Sequence, residues 1–244
     1  MQVDRLAVRL RPRTALEAAD LGVRLCQSAA RSIYPCYAFV AVPVFALAVG
    51  AIEISGWLPT LLIFWAKPWL DRTILFVLSR AAFGQTTSVS ELWQAKRDVW
   101  WRQFVFTWTI RRLSVWRSVT QPVYQLEGFT ARRGRARVRQ IRRRNRGAGF
   151  MMTTAFVTAE ACVAVALASL AFWMAPMGTT PTIDQVFAGE NTGQVSIAAP
   201  IIYALAVLFV EPFYVAAGFA MYLNRRAELE AWDIEQEFRR AFAS

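Results

Sequence analysis

Four stretches of this chain are too oily to be left in water, and three of them carry ionisable residues in their interiors. A helix that crosses the hydrocarbon needs about 20 mostly apolar residues. Residues 33–54 meet that length, with no charge before Glu53, and 150–173 and 197–223 carry only Glu160 and Glu211 respectively. Residues 57–83 are interrupted by Lys67, Pro68, Asp71 and Arg72. Ser55 and Gly56 leave only a minimal turn between the first two stretches, which makes them antiparallel neighbours. The pattern predicts an all-α polytopic membrane protein with four transmembrane helices, supplemented by amphipathic cytoplasmic helices.

Composition narrows the function. The chain is 56% hydrophobic yet has 28 Lys+Arg against 17 Asp+Glu. An oily average with a strong positive charge excludes a disordered chain and a disulfide-stapled secreted domain. It requires the charges to be segregated into particular segments. There is no histidine, which removes Ser-His-Asp and Cys-His schemes, HExxH zinc sites and imidazole proton shuttles. Cys26, Cys36 and Cys162 match no metal spacing and read as small hydrophobes. No catalytic residue, cofactor site or metal site is expected, and the chain does not read as an enzyme.

Orientation follows from the basic residues. Segment 1–32 holds six Arg, 84–149 holds fifteen Lys+Arg and 224–244 holds four, whereas 175–196 holds none and carries Asp184 and Glu190. Four crossings place all three basic segments in the cytoplasm and the acidic loop outside, as positive charge dictates. The expected organisation is a cytoplasmic segment 1–32, a hairpin 33–83, a basic cytoplasmic region 84–149, a second pair 150–223 with outer loop 175–196, and a cytoplasmic tail 224–244. A re-entrant hairpin at Pro68 would put 84–149 outside, so a proline-kinked full crossing is the expectation. The N-terminus reads as retained, because Thr14 and Glu17 form a capping box that opens a helix toward Arg31 ahead of the first oily run.

Outside the spans, Ser88 and Glu91 form a second capping box, predicting a helix to about Trp116. Its Trp93, Trp100, Trp101, Trp108 and Trp116 alternate with Lys96, Arg97, Arg102, Arg111 and Arg112, a mixture suited to the lipid headgroup layer. Farther on stand Arg132, Arg133, Arg135, Arg137, Arg139, Arg142, Arg143, Arg144 and Arg146, with no acid among them. Because Phe150 enters the membrane four residues later, these nine arginines read as an anchor on anionic lipid and not as a nucleic-acid site. The tail carries Glu228, Glu230, Asp233, Glu235 and Glu237, with Leu223, Ala227, Ile234, Phe238 and Phe242 on one stripe. Docking of this tail onto the arginine run is the expectation.

Ionisable groups inside spans are costly and face one another or a wet cavity. Lys67-Pro68 and Glu211-Pro212 occupy corresponding places in the second and fourth spans, so Lys67 and Glu211 are expected to pair as a structural couple. The rival reading is a transporter pathway using Lys67, Asp71, Arg72, Glu160 and Glu211, completed if need be by a second copy of the chain. An enzyme acting on lipid head groups is the weakest alternative.

Several strings resemble those of an uncharacterised family of bacterial inner-membrane proteins. They are Arg11-Pro-Arg-Thr-Ala-Leu-Glu-Ala-Ala-Asp-Leu-Gly22, Leu75-Phe-Val-Leu-Ser-Arg-Ala-Ala-Phe-Gly84, Pro122-Val-Tyr-Gln-Leu-Glu-Gly128 and Glu211-Pro-Phe-Tyr-Val-Ala-Ala-Gly218, with Asn224-Arg-Arg and Trp232-Asp-Ile-Glu235. The resemblance implies an inner-membrane protein encoded near MoxR-type AAA ATPases and transglutaminase-like membrane proteins. It implies no chemistry. Taken together, the sequence points to a membrane platform or accessory subunit for protein partners, with a small-solute or lipid transporter as the alternative.

Overall fold

The computed structural model describes residues 13–101, 114–129, 131–174 and 193–230, leaving out the side chains of 131, 132, 144, 145 and 193–196. Among them the chain is all-helical: α1 (Ala15–Ser28), α2 (Ala30–Gly50), α3 (Leu58–Ala81), α4 (Val89–Gln94), α5 (Arg117–Gln125), α6 (Ala131–Met174) and α7 (Gly193–Glu230). Three helical stretches, 30–53, 146–174 and 197–230, are long and apolar enough to cross a membrane. They mark the chain as a membrane protein. At 24 residues α3 has the length as well, but Lys67, Asp71 and Arg72 spoil its apolar window.

Both capping boxes form. Thr14 accepts from the Glu17 backbone while Glu17 accepts from the Thr14 backbone, and Ser88 and Glu91 do the same for α4. The Ser88 backbone N–H, with Arg80 nearby, holds the Glu91 carboxyl below the usual carboxylate range. Beyond α4 the chain departs from expectation. The helix predicted to reach Trp116 ends at Gln94 and gives way to a π-helical turn, Arg97–Trp101, before residues that lie outside the description. The reason is α3: Arg72 donates from Nε to the Val99 carbonyl and from a terminal nitrogen to the Asp98 carbonyl at 3.4 Å. A π-turn frees carbonyls for such a partner. Trp100 goes inward with them, donating to Thr73 Oγ1 at 3.0 Å and packing on Trp69 at 5.9 Å. It is therefore a core residue, while Trp93 and Trp101 stay exposed. Trp108 lies outside the described residues.

Helix α7 is the central post, touching α1, α2, α3, α5 and α6. It can be approached closely because of Ala216-Ala217-Gly218. A Cβ on Gly22 of α1 would lie 2.2 Å from the Ala216 carbonyl oxygen, and one on Gly218 would lie 2.3 Å from Ser118 Cβ of α5. Lipid tails are as apolar as Leu, so bilayer helices associate through this kind of backbone approach and through polar contacts. Asn224 locks the α1 end of the crossing, donating to the Arg13 carbonyl at 2.9 Å and accepting from the Arg13 N–H at 3.3 Å.

Helix α6 runs across the expected boundary at 149/150. Its 44 residues run unbroken from the arginine run into the apolar stretch. Likewise α7 carries the last span straight on into the first residues of the tail. The C-terminal half of α6 leaves Val157, Val165, Leu170, Phe172 and Trp173 exposed, the surface a bilayer covers.

Overpacking either crossing should cost about 1–3 kcal/mol. Gly22→Val and Gly218→Val should each lower the midpoint of thermal unfolding in detergent. Gly50→Ala, where nothing lies within 4 Å of an added Cβ, should leave it unchanged.

Candidate functional site

Near the middle of the spans, charged side chains from four helices meet. Lys67 and Asp71 stand four residues apart on α3 and so project from one face. Glu160 lies at the midpoint of the 146–174 stretch, and Glu211 lies near the middle of 197–230. Arg117 is the first residue of α5. Lys67 Nζ is 2.7 Å from Glu211 Oε2 and 2.6 Å from Glu160 Oε2. Arg117 reaches Glu211 Oε1 at 2.7 Å and Asp71 Oδ2 at 2.9 Å. Glu211 thus gives one oxygen to each cation, and it is the hinge of the network. Lys67, Asp71 and Glu211 are buried to below a tenth of their free exposure.

The structure brings together four of the five intramembrane charges that the sequence marks. The fifth, Arg72, points away to the carbonyls of Asp98 and Val99. Arg117 was not among them, because nothing in its own neighbourhood marks it. The signal available was spacing. Arg117, Gln121 and Gln125 share a helix face at four-residue steps, and all three meet polar groups of the bundle. Gln121 Nε2 donates to the Pro68 carbonyl at 3.2 Å and Gln125 Nε2 to the Arg72 carbonyl at 2.8 Å. The α3 carbonyls of Pro68 and Arg72 are thereby met by α5 side chains, the kind of polar contact that joins helices in a bilayer.

A cavity of about 280 Å³ opens against this network, lined by Lys67, Arg117, Glu160, Glu211, Tyr214 and Thr153 among others. The Tyr214 ring lies 5.5 Å from the Arg117 guanidinium. Among the described residues no three His, Cys, Asp or Glu side chains are placed to hold a metal ion.

A second cluster ties together the ends of α5 and α7 and the arginine segment of α6. Glu127, just after α5, accepts from Tyr222 Oη at 2.6 Å and from Arg137 Nε at 3.0 Å. Arg137 also donates to Glu230, which is held by Arg226 at 3.0 Å. One arginine of the run therefore meets one acid of the tail, with Glu127 beside them. Arg142 stacks over the Trp116 ring at 4.0 Å. Arg133, Arg135, Arg139, Arg143 and Arg146 are exposed. The side chains of Arg132 and Arg144 lie outside the description, as do Asp233, Ile234, Glu235, Glu237, Phe238 and Phe242 of the tail.

Comparison with protein-family models, with curated proteins and with solved structures finds no match to this chain.

Removing one partner from a buried ion pair leaves its counterpart uncompensated, at about 3–5 kcal/mol. Lys67→Met and Glu211→Gln should each reduce thermal stability in detergent by that order. The double change should lose clearly less than the sum of the two. Strict additivity in this cycle would show that the two side chains do not sense each other.

Proposed function

We propose that this chain is a platform or accessory subunit of the bacterial inner membrane, crossing it four times with both termini in the cytoplasm, and serving protein partners. Helix α3 is the fourth crossing in this reading. Its charges are matched inside the bundle by Glu160, Glu211 and Arg117, so α3 need not be uniformly oily to reside in the bilayer. With four crossings every basic segment falls on one side.

The observation that carries the reading is the anchoring of the arginine segment. The Glu127 cluster ties the end of α5 to the arginine segment of α6 and the end of α7. Arg135, Arg139, Arg143 and Arg146 then form an exposed stripe at three- and four-residue steps along α6. A rigid basic stripe leading directly into a span is suited to anionic lipid heads and to an acidic face on a partner. By its resemblance to bacterial inner-membrane proteins encoded near such ATPases, a MoxR-type ATPase system is the partner class to test first. Transport is the second reading, favoured by the cavity that opens against Lys67, Arg117, Glu160 and Glu211.

Alkaline phosphatase fused at Gly189 should be active, and the enzyme fused after Ser244 inactive; the reverse pattern would overturn four crossings. Affinity purification from native membranes should bring down a protein partner in stoichiometric amount. Arg135→Glu, Arg139→Glu and Arg143→Glu together should reduce that recovery at least tenfold while leaving the thermal midpoint in place. Solute flux by the protein alone in liposomes, with no co-purifying partner, would favour transport instead.

A further inference from the structure

The mid-membrane network is unbalanced. Asp71, Glu160 and Glu211 supply three negative charges, whereas Lys67 and Arg117 supply two positive ones. An uncompensated charge at that depth is costly, and proteins relieve it most cheaply by neutralising a group. The geometry says which group. Glu211 receives a cation on each oxygen, and Glu160 is hydrogen-bonded by Lys67 Nζ at 2.6 Å. Asp71 has only Arg117 Nε at 2.9 Å, and that contact is out of line. Neither Asp71 oxygen nor Arg117 Nε makes a hydrogen bond, although Asp71 is 1% exposed. Asp71 is the least supported anion of the three and the most deeply enclosed.

We propose that the network is a proton-binding site, with one proton held by Asp71 and exchanged through Glu211, which, unlike Asp71, lines the adjoining 280 Å³ cavity. The step is simple: a proton from water adds to an Asp71 carboxylate oxygen, and the site's charge goes from minus one to zero. The neutral carboxyl gains a donor. Glu211, bound to the same Arg117, is the carboxylate beside it. The other groups facing the site come from every packed helix. They are Tyr37 of α2, whose buried hydroxyl also lacks a partner, Lys67 of α3, Arg117 of α5, Glu160 of α6, and Tyr203 and Tyr214 of α7. Lys67 and Arg117 each sit between two carboxylates, so Asp71, with its one out-of-line cation contact, is the group left to take the proton. The site is independent of the platform reading, since a proton can be structural or coupled to a partner.

The test uses full-length protein in lipid nanodiscs, reading the carboxylic-acid C=O band by infrared spectroscopy and the thermal midpoint across pH. The wild type should show a protonated-carboxyl band at neutral pH. That band should disappear on raising the pH, and the midpoint should fall with it. The sign follows because stability tied to a held proton is present at lower pH and lost as the proton leaves. Asp71→Asn mimics the protonated state. It should lack the band, match the wild-type midpoint at neutral pH and lose the decline toward alkaline pH. No protonated carboxyl in the wild type at neutral pH would overturn the proposal whether or not the variants fold. So would an Asp71→Asn protein that keeps the band, or that is destabilised with the wild-type pH slope. A midpoint raised by sodium over potassium at equal ionic strength, and only with Asp71 present, would assign the charge to a metal cation and overturn it as well.

Discussion

Glu211 accepting from Lys67 on one oxygen and from Arg117 on the other is the interaction on which the rest of this bundle depends. It joins α7 to α3 and α5, and through Lys67 it also engages Glu160 of α6. Apolar helices in a bilayer have little preference among rotations, since a Leu faces lipid as comfortably as it faces another Leu. A buried ion network removes that freedom. Any rotation of α3 or α7 by one residue would leave a charge stranded in hydrocarbon, which is far worse than an imperfect apolar fit. The network therefore fixes register more than it adds stability.

Close approach supplies what the charges do not. The Ala216-Ala217-Gly218 surface lets α1 and α5 press onto α7 from different sides, with Gly22 and Ser118 at backbone distance. Without that proximity the Arg117 side chain would not reach Glu211. From there the order extends outward. Gln121 and Gln125 hold α5 along α3, Glu127 gathers Arg137 and Tyr222, and Arg226 and Glu230 close that end of the bundle. The exposed arginines of α6 sit on an element braced both at Arg137 and at Glu160.

Much of this was legible in the chain. Thr14 with Glu17 and Ser88 with Glu91 announce their helix starts, because a capping box is a purely local device. The apolar stretches read by length, and Lys67 and Glu211 draw attention by being charged where charge is expensive. Other features were hidden for physical reasons. Arg117 sits among ordinary surface-like residues, and its role arises only when α5 folds back onto α3 and α7. The interruption after Gln94 is imposed by Arg72 from another helix, so the sequence of 88–116 itself still reads as one amphipathic helix. The unbroken α6 was masked because polarity changes sharply at Phe150 while helix propensity does not. Glu127 lay in plain view within Pro122-Val-Tyr-Gln-Leu-Glu-Gly128, but a lone glutamate in a connecting segment carries no pattern.

The chain's two lysines, Lys67 and Lys96, make the central contact directly observable. Lys96 lies with its ammonium 4.4 Å from the Trp93 ring, whereas Lys67 lies between two glutamates. Solid-state NMR on protein in lipid bilayers, with lysine Nζ labelled with nitrogen-15 and glutamate carboxyl carbons with carbon-13, reads this distinction through dipolar transfer. One lysine signal should correlate with two glutamate carboxyl carbons and vanish in Lys67→Met. If neither lysine shows transfer to a glutamate carboxyl, the network does not exist and the account of how the bundle is held in register is wrong.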